Sequence, residues 1–381
     1  LSDRYAGLYL HVPFCARVCP YCDFAVRTGD AARRRAYVDF LLAEIDLYAG
    51  YPLTFDTVYF GGGTPSCLET SDLERIVARV RERLVTVDDP WIFLEANPED
   101  VTASSAAAWK RIGVRTLSLG IQSFDAGELA FLGREHSVQQ AVDSIRIARD
   151  TGFHTVSIDL IYGLPGQSTD TWHRRLDSAI ESAPDHLSCY QLTIHDGTRF
   201  GLLEKRGDLV QLPDDGQASV FRATHEHLNA AGYAGYEVSQ FAIDADHRSR
   251  HNQKYWNHTS YLGLGPSAHS FDAGKRWWNQ RTTGPWQQAI ERGAQPVDTE
   301  ETLSPRDLLL ETLMLGLRTY RGVDCADVKR RFGTDLIATN GELVERLLTN
   351  GLIKHHEARL IPTLDGLAVA DSLAAMFRLG L

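Results

Sequence analysis

Leu8-Tyr9-Leu10-His11-Val12-Pro13-Phe14-Cys15-Ala16-Arg17-Val18-Cys19-Pro20-Tyr21-Cys22-Asp23-Phe24 is the stretch on which the reading of the chain turns. Leu8–Val12 is an apolar, β-prone run stopped by Pro13, and three thiols follow at the spacing C-x3-C-x2-C. A strand that empties into a ligand-bearing loop is the unit from which parallel βα folds build their sites. Outward from it the unit repeats, with strands expected at Thr57–Phe60, Trp91–Glu95, Thr116–Ile121, Val156–Tyr162 and Leu187–Leu192. Helix-period segments lie between them. In Ala36–Tyr48 the residues Val38, Leu41, Leu42 and Ile45 recur at three and four, and Asp72–Leu84 follows an expected cap at Thr70 or Ser71. Six βα units thus fit between residue 8 and about residue 192. A closed eight-fold barrel takes roughly 250 residues, so six eighths of one needs roughly 190. The expected fold is α/β, an open six-stranded (β/α)6 partial TIM barrel, with a doubly wound open sheet as the alternative.

Beyond residue 192 the pattern changes to a helix near Gln217–Asn229, an extended Tyr236–Phe241 and a Gly- and aromatic-rich stretch from Tyr255 to Trp286. Residues 282–303 read as a linker. From Ser304 the order helix (Pro305–Thr319), helix (Asp324–Phe332), helix (Gly341–Thr349), extended pair around His356–Ile361 and a last helix suggests a small, mainly helical, winged-helix-like domain. The expected division is therefore 1–281, with a barrel over 1–195 and an extension over 196–281, then the linker, then 304–381.

Composition removes several classes of function. The 381 residues carry 39 Lys and Arg against 50 Asp and Glu, a net charge of −11, so no nucleic-acid partner is expected. The third helix of the winged-helix-like segment, Glu342-Leu343-Val344-Glu345-Arg346, is not basic either. No apolar run reaches the roughly 18 residues of a membrane span, and Leu1-Ser2-Asp3-Arg4 does not open a leader, so a cytoplasmic protein is expected. A weak peripheral membrane contact stays compatible with this, and the oligomeric state is left open. Six cysteines are too few for a disulfide scaffold, and Cys67, Cys189 and Cys325 are read as ordinary buried thiols.

Chemistry concentrates where the strands end. Three thiolates on one loop suit three irons of a cubane whose fourth iron stays open. Zinc with His11 as fourth ligand and thiol exchange at Cys19-Pro20-Tyr21-Cys22 are the competing readings. The second strand runs into Gly61-Gly62-Gly63-Thr64-Pro65, where bare backbone admits close approach of a ligand. The third ends in Glu95-Ala96-Asn97-Pro98, a carboxylate for a ribose hydroxyl. The fourth ends in Gly120-Ile121-Gln122-Ser123-Phe124, with Arg134 twelve residues after Gln122. The fifth carries Asp159 and ends in Gly163-Leu164-Pro165-Gly166-Gln167. Each is an ordinary feature alone; five on one rim are not.

With these segments in view the chain resembles the radical S-adenosylmethionine (SAM) superfamily, in the branch of the oxygen-independent coproporphyrinogen III oxidase HemN and the heme chaperone HemW. The resemblance runs through residues 11–24, 61–66, 95–98, 118–124, 159–167, 236–242, 251–256 and 261–270. It implies a [4Fe–4S] cluster on Cys15, Cys19 and Cys22, with SAM chelating the open iron. By position it implies SAM contacts from Tyr9, Gly62, Gly63, Thr64, Glu95, Gln122, Arg134 and Asp159, with one or two SAM molecules bound. Its chemistry is reductive cleavage of SAM by a low-potential cluster inside a shielded barrel. The oxidase pattern has a fourth cysteine two residues beyond the third, where this chain has Phe24, and the oxidase has a longer segment ahead of its first strand. Both differences favour the chaperone side and put porphyrinogen decarboxylation in doubt. His251-Asn252-Gln253-Lys254-Tyr255-Trp256 resembles the HNxxYW heme motif, implying heme as cargo on His251, with Tyr255 and Trp256 nearby and apo-hemoproteins as acceptors. His247, Arg248, Arg250 and Lys254 are candidate partners of heme propionates. A radical-SAM enzyme, either an oxidase or a two-SAM methyl or methylene transferase, is the alternative, and a thiol–disulfide exchanger the remote one.

Overall fold

The structure, a computed structural model, describes residues 4–380; the reading of Leu1–Asp3 as no leader lies outside them. Chain order is β1 (Ala6–Val12), α1 (Ala31–Leu47), β2 (Phe55–Gly62), α2 (Thr70–Arg83), β3 (Thr86–Ala96), α3 (Ala103–Ile112), β4 (Val114–Gln122), α4 (Ala126–Phe131), α5 (Val138–Thr151), β5 (Thr155–Tyr162), α6 (Thr169–Glu181) and β6 (His186–Gln191). All six expected strands are present, and each pairs in parallel with the next.

Strand periodicity explains how this sheet carries a site. Leu8, Leu10, Phe60, Ile92, Leu94, Leu117, Leu119, Ile158 and Leu160 are buried on one face, under the helices. The alternate positions, among them Tyr59, Phe93, Glu95, Ser118, Asp159, Ser188 and Tyr190, line the interior of the partial barrel. The strands' C-terminal ends form its mouth and their N-terminal ends its floor.

Local signals set the helices. Asp30 caps α1 by accepting from Arg33 N at 2.9 Å. Capping boxes open α3 (Thr102, Ser105) and α5 (Ser137, Gln140), and both helices end on left-handed glycines, Gly113 and Gly152. The expected cap of α2 at Thr70 or Ser71 is not found. The helix already includes both residues, and Glu69 precedes it without a side-chain bond.

The sheet does not close, because β1 pairs on its outer side with another strand and not with β6. Chain order continues with α7 (Arg199–Lys205), α8 (Asp214–Ala230), β7 (Ala234–Gly235), β8 (Gln240–Ala242), α9 (Arg250–Trp256), β9 (Tyr261–Leu264), β10 (His269–Asp272), β11 (Lys275–Asn279), α10 (Thr283–Glu291) and β12 (Val297–Thr302). Strand β9 runs parallel to β1, and β10, β11 and β12 extend the edge antiparallel. On the far side β8 and β7 follow β6, giving one sheet in the order β12-β11-β10-β9-β1-β2-β3-β4-β5-β6-β8-β7. The linker expected over 282–303 is therefore a correction. It folds as α10, whose Trp286 and Ile290 are buried against the barrel, followed by β12, the last strand of the sheet. Tyr236–Phe241, expected as one extended run, is extended only at β8, and Tyr236 N bonds back to Gln240 O at 3.1 Å.

The C-terminal domain comprises α11 (Pro305–Gly316), β13 (Val323–Asp324), α12 (Cys325–Phe332), α13 (Leu336–Thr339), α14 (Gly341–Thr349), β14 (Ile353–His356), β15 (Arg359–Pro362), α15 (Leu364–Ala368) and α16 (Ala370–Met376). A hairpin of β14 and β15 stands where the wing was expected, with β13 on its other side. Leu309, Leu313, Val328, Leu347, Leu360 and Leu373 form a core of its own. Leu367 joins the barrel's core, and Arg222 on α8 pairs with Asp365 at 2.7 Å, so this domain is seated on the barrel flank.

Candidate functional site

The thiol loop leaves β1 at Pro13 and is tied shut at its base, where Arg27 N donates to Pro13 O at 2.8 Å and Cys15 N to Arg27 O at 3.0 Å. Phe14 anchors it, its ring edge-on to Tyr37 at 5.5 Å. Beyond this base Cys15, Cys19 and Cys22 are half-buried and all line one cavity of about 430 Å³ inside the barrel. That is within the roughly 300–1,000 Å³ of small-molecule sites. Gly62, Gly63, Thr64, Glu95, Gln122, Arg134 and Asp159 line the same cavity. Seven of the eight expected SAM residues and all three cysteines are therefore brought together. Tyr9 is not. It lies one residue behind the wall, stacked on Tyr59 at 6.0 Å with its hydroxyl 3.1 Å from His11 Nδ1.

Each wall residue is held for a reason. A Cβ on Gly62 (φ +108°) would come within 2.6 Å of the His11 ring, and one on Gly63 within 2.5 Å of Phe14 O and 3.0 Å of Cys15 Sγ. The glycine run is what lets the second loop pack under the thiol loop. Gly62 N donates to Glu95 Oε2 at 3.2 Å and Tyr59 OH to Glu95 Oε1 at 2.7 Å. Burial pushes the Glu95 carboxyl up to about 7, with Asp159 adding to it. Burial likewise raises Asp159 to about 6, against hydrogen bonds from Ser188 and Ser118. Gln122 sits at φ +65°, where the β4–β5 register shifts, a backbone strain that turns its side chain into the cavity. Arg134 Nη2 donates to Asn97 Oδ1 at 2.6 Å and to Gly120 O at 2.9 Å, Nη1 lies 3.7 Å from Cys19 Sγ, and Nε is buried with no partner.

The residues present fit a [4Fe–4S] cluster and SAM. Among the described residues no three His, Cys, Asp or Glu side chains converge as a single metal ion requires, so the thiols and His11 do not form a tetrahedral zinc set. His11 Nε2 is 3.2 Å from Ala25 O, and its burial lowers its pKa to about 4. Burial raises the Cys15 thiol and takes Cys22 to about 11. For Cys22 that direction is opposite to the lowered values of reactive exchange thiols. Three thiols on one loop, two of them at the ends of a single turn closed by Cys22 N donating to Cys19 O, backed by a guanidinium with an unspent donor, suit a cluster plus the carboxylate of a small ligand. When bound, such a cluster supplies the electron for reductive cleavage of SAM. Tyr59 and Gly62 orient Glu95, and Asn97 fixes Arg134 beside Cys19.

At the floor the structure departs from expectation. His251 is 1% exposed, with Nδ1 2.8 Å from Thr57 Oγ1 and Nε2 3.0 Å from Tyr255 OH, and its ring lies 5.0 Å from that of Tyr59. Burial lowers its pKa to about 3, keeping it neutral. Both nitrogens are spent inside the protein, so His251 presents no donor to a heme iron here. Lys254 is equally buried, 2.7 Å from Asp56 and donating to Tyr5 O at 2.8 Å, which removes it from any propionate site. Tyr255 packs edge-on to His251 and Tyr261, and Trp256 is half-buried with Nε1 unpartnered. Arg248 and Arg250 lie over Tyr236 and Trp91 at 5.4 and 4.1 Å. His247 lines the deep end of the cavity.

Sequence reasoning missed Asn97, Tyr59, Ser118, His186, Ser188, Tyr190 and His195, all in the cavity wall. For the strand residues the usable signal was parity: every second position counted from Glu95, Ser118 and Asp159 faces inward.

A six-stranded partial barrel with three thiols at its mouth defines the class, and residues 9–179 match the model of the Radical SAM superfamily, followed by the HemN C-terminal domain over 303–369. The chain belongs to the HemW family. It is 36% identical to the protein named heme chaperone HemW of Mycobacterium tuberculosis over 96% of this chain and 93% of that one. It is 39% identical to the protein of that name of Escherichia coli over 69% of each. Mouse radical S-adenosyl methionine domain-containing protein 1, mitochondrial, is 33% identical over 97% of this chain and 86% of its own. Among solved structures, Escherichia coli coproporphyrinogen III oxidase HemN superposes with a TM-score of 0.84 at 23% identity, covering 98% of this chain and 90% of that one, which establishes the fold. Among the described residues no helix is long and apolar enough to cross a membrane.

Proposed function

We propose that this chain is a heme chaperone on a radical-SAM scaffold, binding heme and passing it to apo-hemoproteins, with a [4Fe–4S] cluster and SAM at the barrel mouth. The observation that carries this is the match to the HemW relatives along nearly the whole chain, barrel and C-terminal domain together. Phe24 in place of a fourth cysteine supports it against the oxidase. Cys15, Cys19 and Cys22 are the cluster ligands in this reading. Gly62, Gly63, Thr64, Glu95, Gln122, Arg134 and Asp159 hold SAM, and a cavity of about 430 Å³ suits one such molecule. Residues 1–302 act as the cofactor-bearing unit and 304–381 as a packing or docking module, in the cytoplasm.

The test is an anaerobic heme titration of the cluster-reconstituted protein, followed by transfer to an apo-hemoprotein. Saturable binding and transfer are expected. If neither occurs, the chaperone reading falls and productive SAM turnover leads. One observation already favours that second reading: the SAM residues and the thiols line a single cavity, which would hold the bond to be cleaved beside the electron donor.

A further inference from the structure

Trp91 stands on β3 near the floor, at the same parity as Glu95, and donates its Nε1–H at 2.8 Å to Thr116 Oγ1 in the cavity wall. Its ring gathers cationic side chains. The Arg250 guanidinium lies over it at 4.1 Å and that of Arg115 at 5.0 Å, and the His154 ring is edge-on to it at 4.7 Å. The His247 ring is 5.0 Å from that of His154, and Thr155 Oγ1 lies 3.1 Å from His154 Nδ1 and 3.0 Å from His247 Nδ1. These groups come from β3, β4, the entry to β5 and the start of α9, so the fold assembles them and sequence adjacency does not. Two guanidinium groups against one indole repel each other, and the ring's negative face offsets part of that cost.

Their charge is spent unequally. Arg115 pairs with Asp89. Arg250 is exposed and, among the described residues, pairs with no carboxylate. Burial lowers the His154 pKa, and His247 and Arg250 lower it further, with Asp246 opposing and Arg115 adding, so positive charge outweighs negative at that ring. Arg250 also immediately precedes His251, whereas Lys254 is sealed against Asp56 and Arg248 lies over Tyr236 with Nε buried. Two guanidinium forks on one ring, beside the helix of the heme motif, match a flat macrocycle with two carboxylates on its edge.

We propose that Arg250 and Arg115, gathered on Trp91, receive the edge carboxylates of an iron porphyrin carried on α9. This rests on the heme-chaperone reading and adds to it an anion site built on the barrel strands. Loading of His251 exchanges its Thr57 and Tyr255 hydrogen bonds for the metal. Arg250 needs no such exchange and is free to take the porphyrin edge first. Asp89 holds Arg115 in place and competes with the incoming carboxylate.

The experiment titrates the reconstituted full chain anaerobically with hemin and, in parallel, with hemin dimethyl ester, which keeps the ring and the iron without the two charges. Soret absorbance reads binding, and cluster absorbance checks folding. The unaltered protein is expected to prefer hemin by about tenfold. Arg250→Gln and Arg115→Gln each weaken hemin by about threefold to fivefold, the worth of a partly exposed charge pair, and leave the ester unchanged, so the preference closes. Asp89→Asn, which frees Arg115, tightens hemin alone. Equal affinity of the unaltered protein for the two ligands, arginine variants that lose both ligands alike or neither, or weaker hemin binding in Asp89→Asn would overturn the proposal while leaving the chaperone reading standing. Failure of the unaltered protein to bind hemin would overturn both.

Discussion

At the mouth of the barrel Arg134 holds Asn97 and Gly120 and still keeps Nε without a partner, and three thiols stand half-buried around it. At the floor His251 and Lys254 meet Thr57, Tyr255, Asp56 and Tyr5 and are closed in. Gly7 shows how tightly: a Cβ there would stand 2.8 Å from His251 Cε1. Two regions of one barrel thus carry ionisable side chains to opposite ends, one with binding capacity left over and one with it used to seat α9. A residue type that suits a ligand says nothing about whether its valence is already taken.

The largest effect expected on the mouth is from Cys19→Ala. Anaerobic reconstitution should then give no stable cluster, read as loss of bound iron and of the broad visible absorbance, while thermal unfolding without cluster changes by less than about 1 kcal/mol. A variant that keeps four irons, or that collapses before iron is added, breaks the contrast. At the floor the order reverses. His251→Ala removes a buried ring and leaves the Thr57 and Tyr255 hydroxyls without it, a cost of about 2–4 kcal/mol. Denaturant unfolding checks this, with cluster loading unchanged in the surviving folded protein. Lys254→Met should cost about 2–3 kcal/mol, the penalty for leaving the Asp56 carboxylate without its cation, reduced because Asp56 keeps some access to water. A floor variant that stays fully stable but loses heme would turn the comparison around.

The same distinction explains what was legible. The six parallel strands could be read because strands covered on both faces are rich in Val, Ile, Leu and aromatics wherever they lie, and the thiol, glycine and carboxylate loops follow directly from where those strands end. Strand β12 could not be read. From Val297 to Thr302 it is half or fully exposed and so has no apolar alternation; it is a strand only because β11 offers it an edge. Trp286 was visible as an aromatic in a polar stretch, but its stacking on Tyr37 at 5.6 Å is a contact across the fold. His251 was found as a motif, and what cancels it as an open ligand includes Thr57, 194 positions away. Local sequence records residue type and period; satisfaction of polar groups is settled by partners brought in from elsewhere.

Glu44 carries this furthest and makes the smallest prediction. It lies on the apolar face of α1, fully buried, where period alone puts no charge, and accepts from Gly265 N at 2.8 Å, Asn279 Nδ2 at 2.6 Å and Trp286 Nε1 at 3.0 Å. Those bonds tie α1 to β11, α10 and Gly265, which itself abuts His11 beneath the thiol loop. Burial nevertheless pushes its carboxyl up from 4.5 to about 7. Between those values the unfolded chain has released the proton that the folded protein keeps, so the folded state binds more protons and stability falls as pH rises through the window. Glu95 at about 7 and Asp159 at about 6 act in the same sense, whereas His11 at about 4 and His186 and His251 at about 3 act oppositely as pH falls below the ordinary histidine value. The difference between the unaltered protein and Glu44→Gln cancels that background. Urea unfolding at pH 5, 6, 7 and 8 should show the variant gaining on the unaltered protein as pH rises to 7, by at most about 1.4 kcal/mol per pH unit, and no further above it. A difference that stays constant across the series would mean that the hydrogen bonds from Gly265, Asn279 and Trp286 fully offset the burial, making Glu44 a tie of the kind found at the floor and not a titrating one.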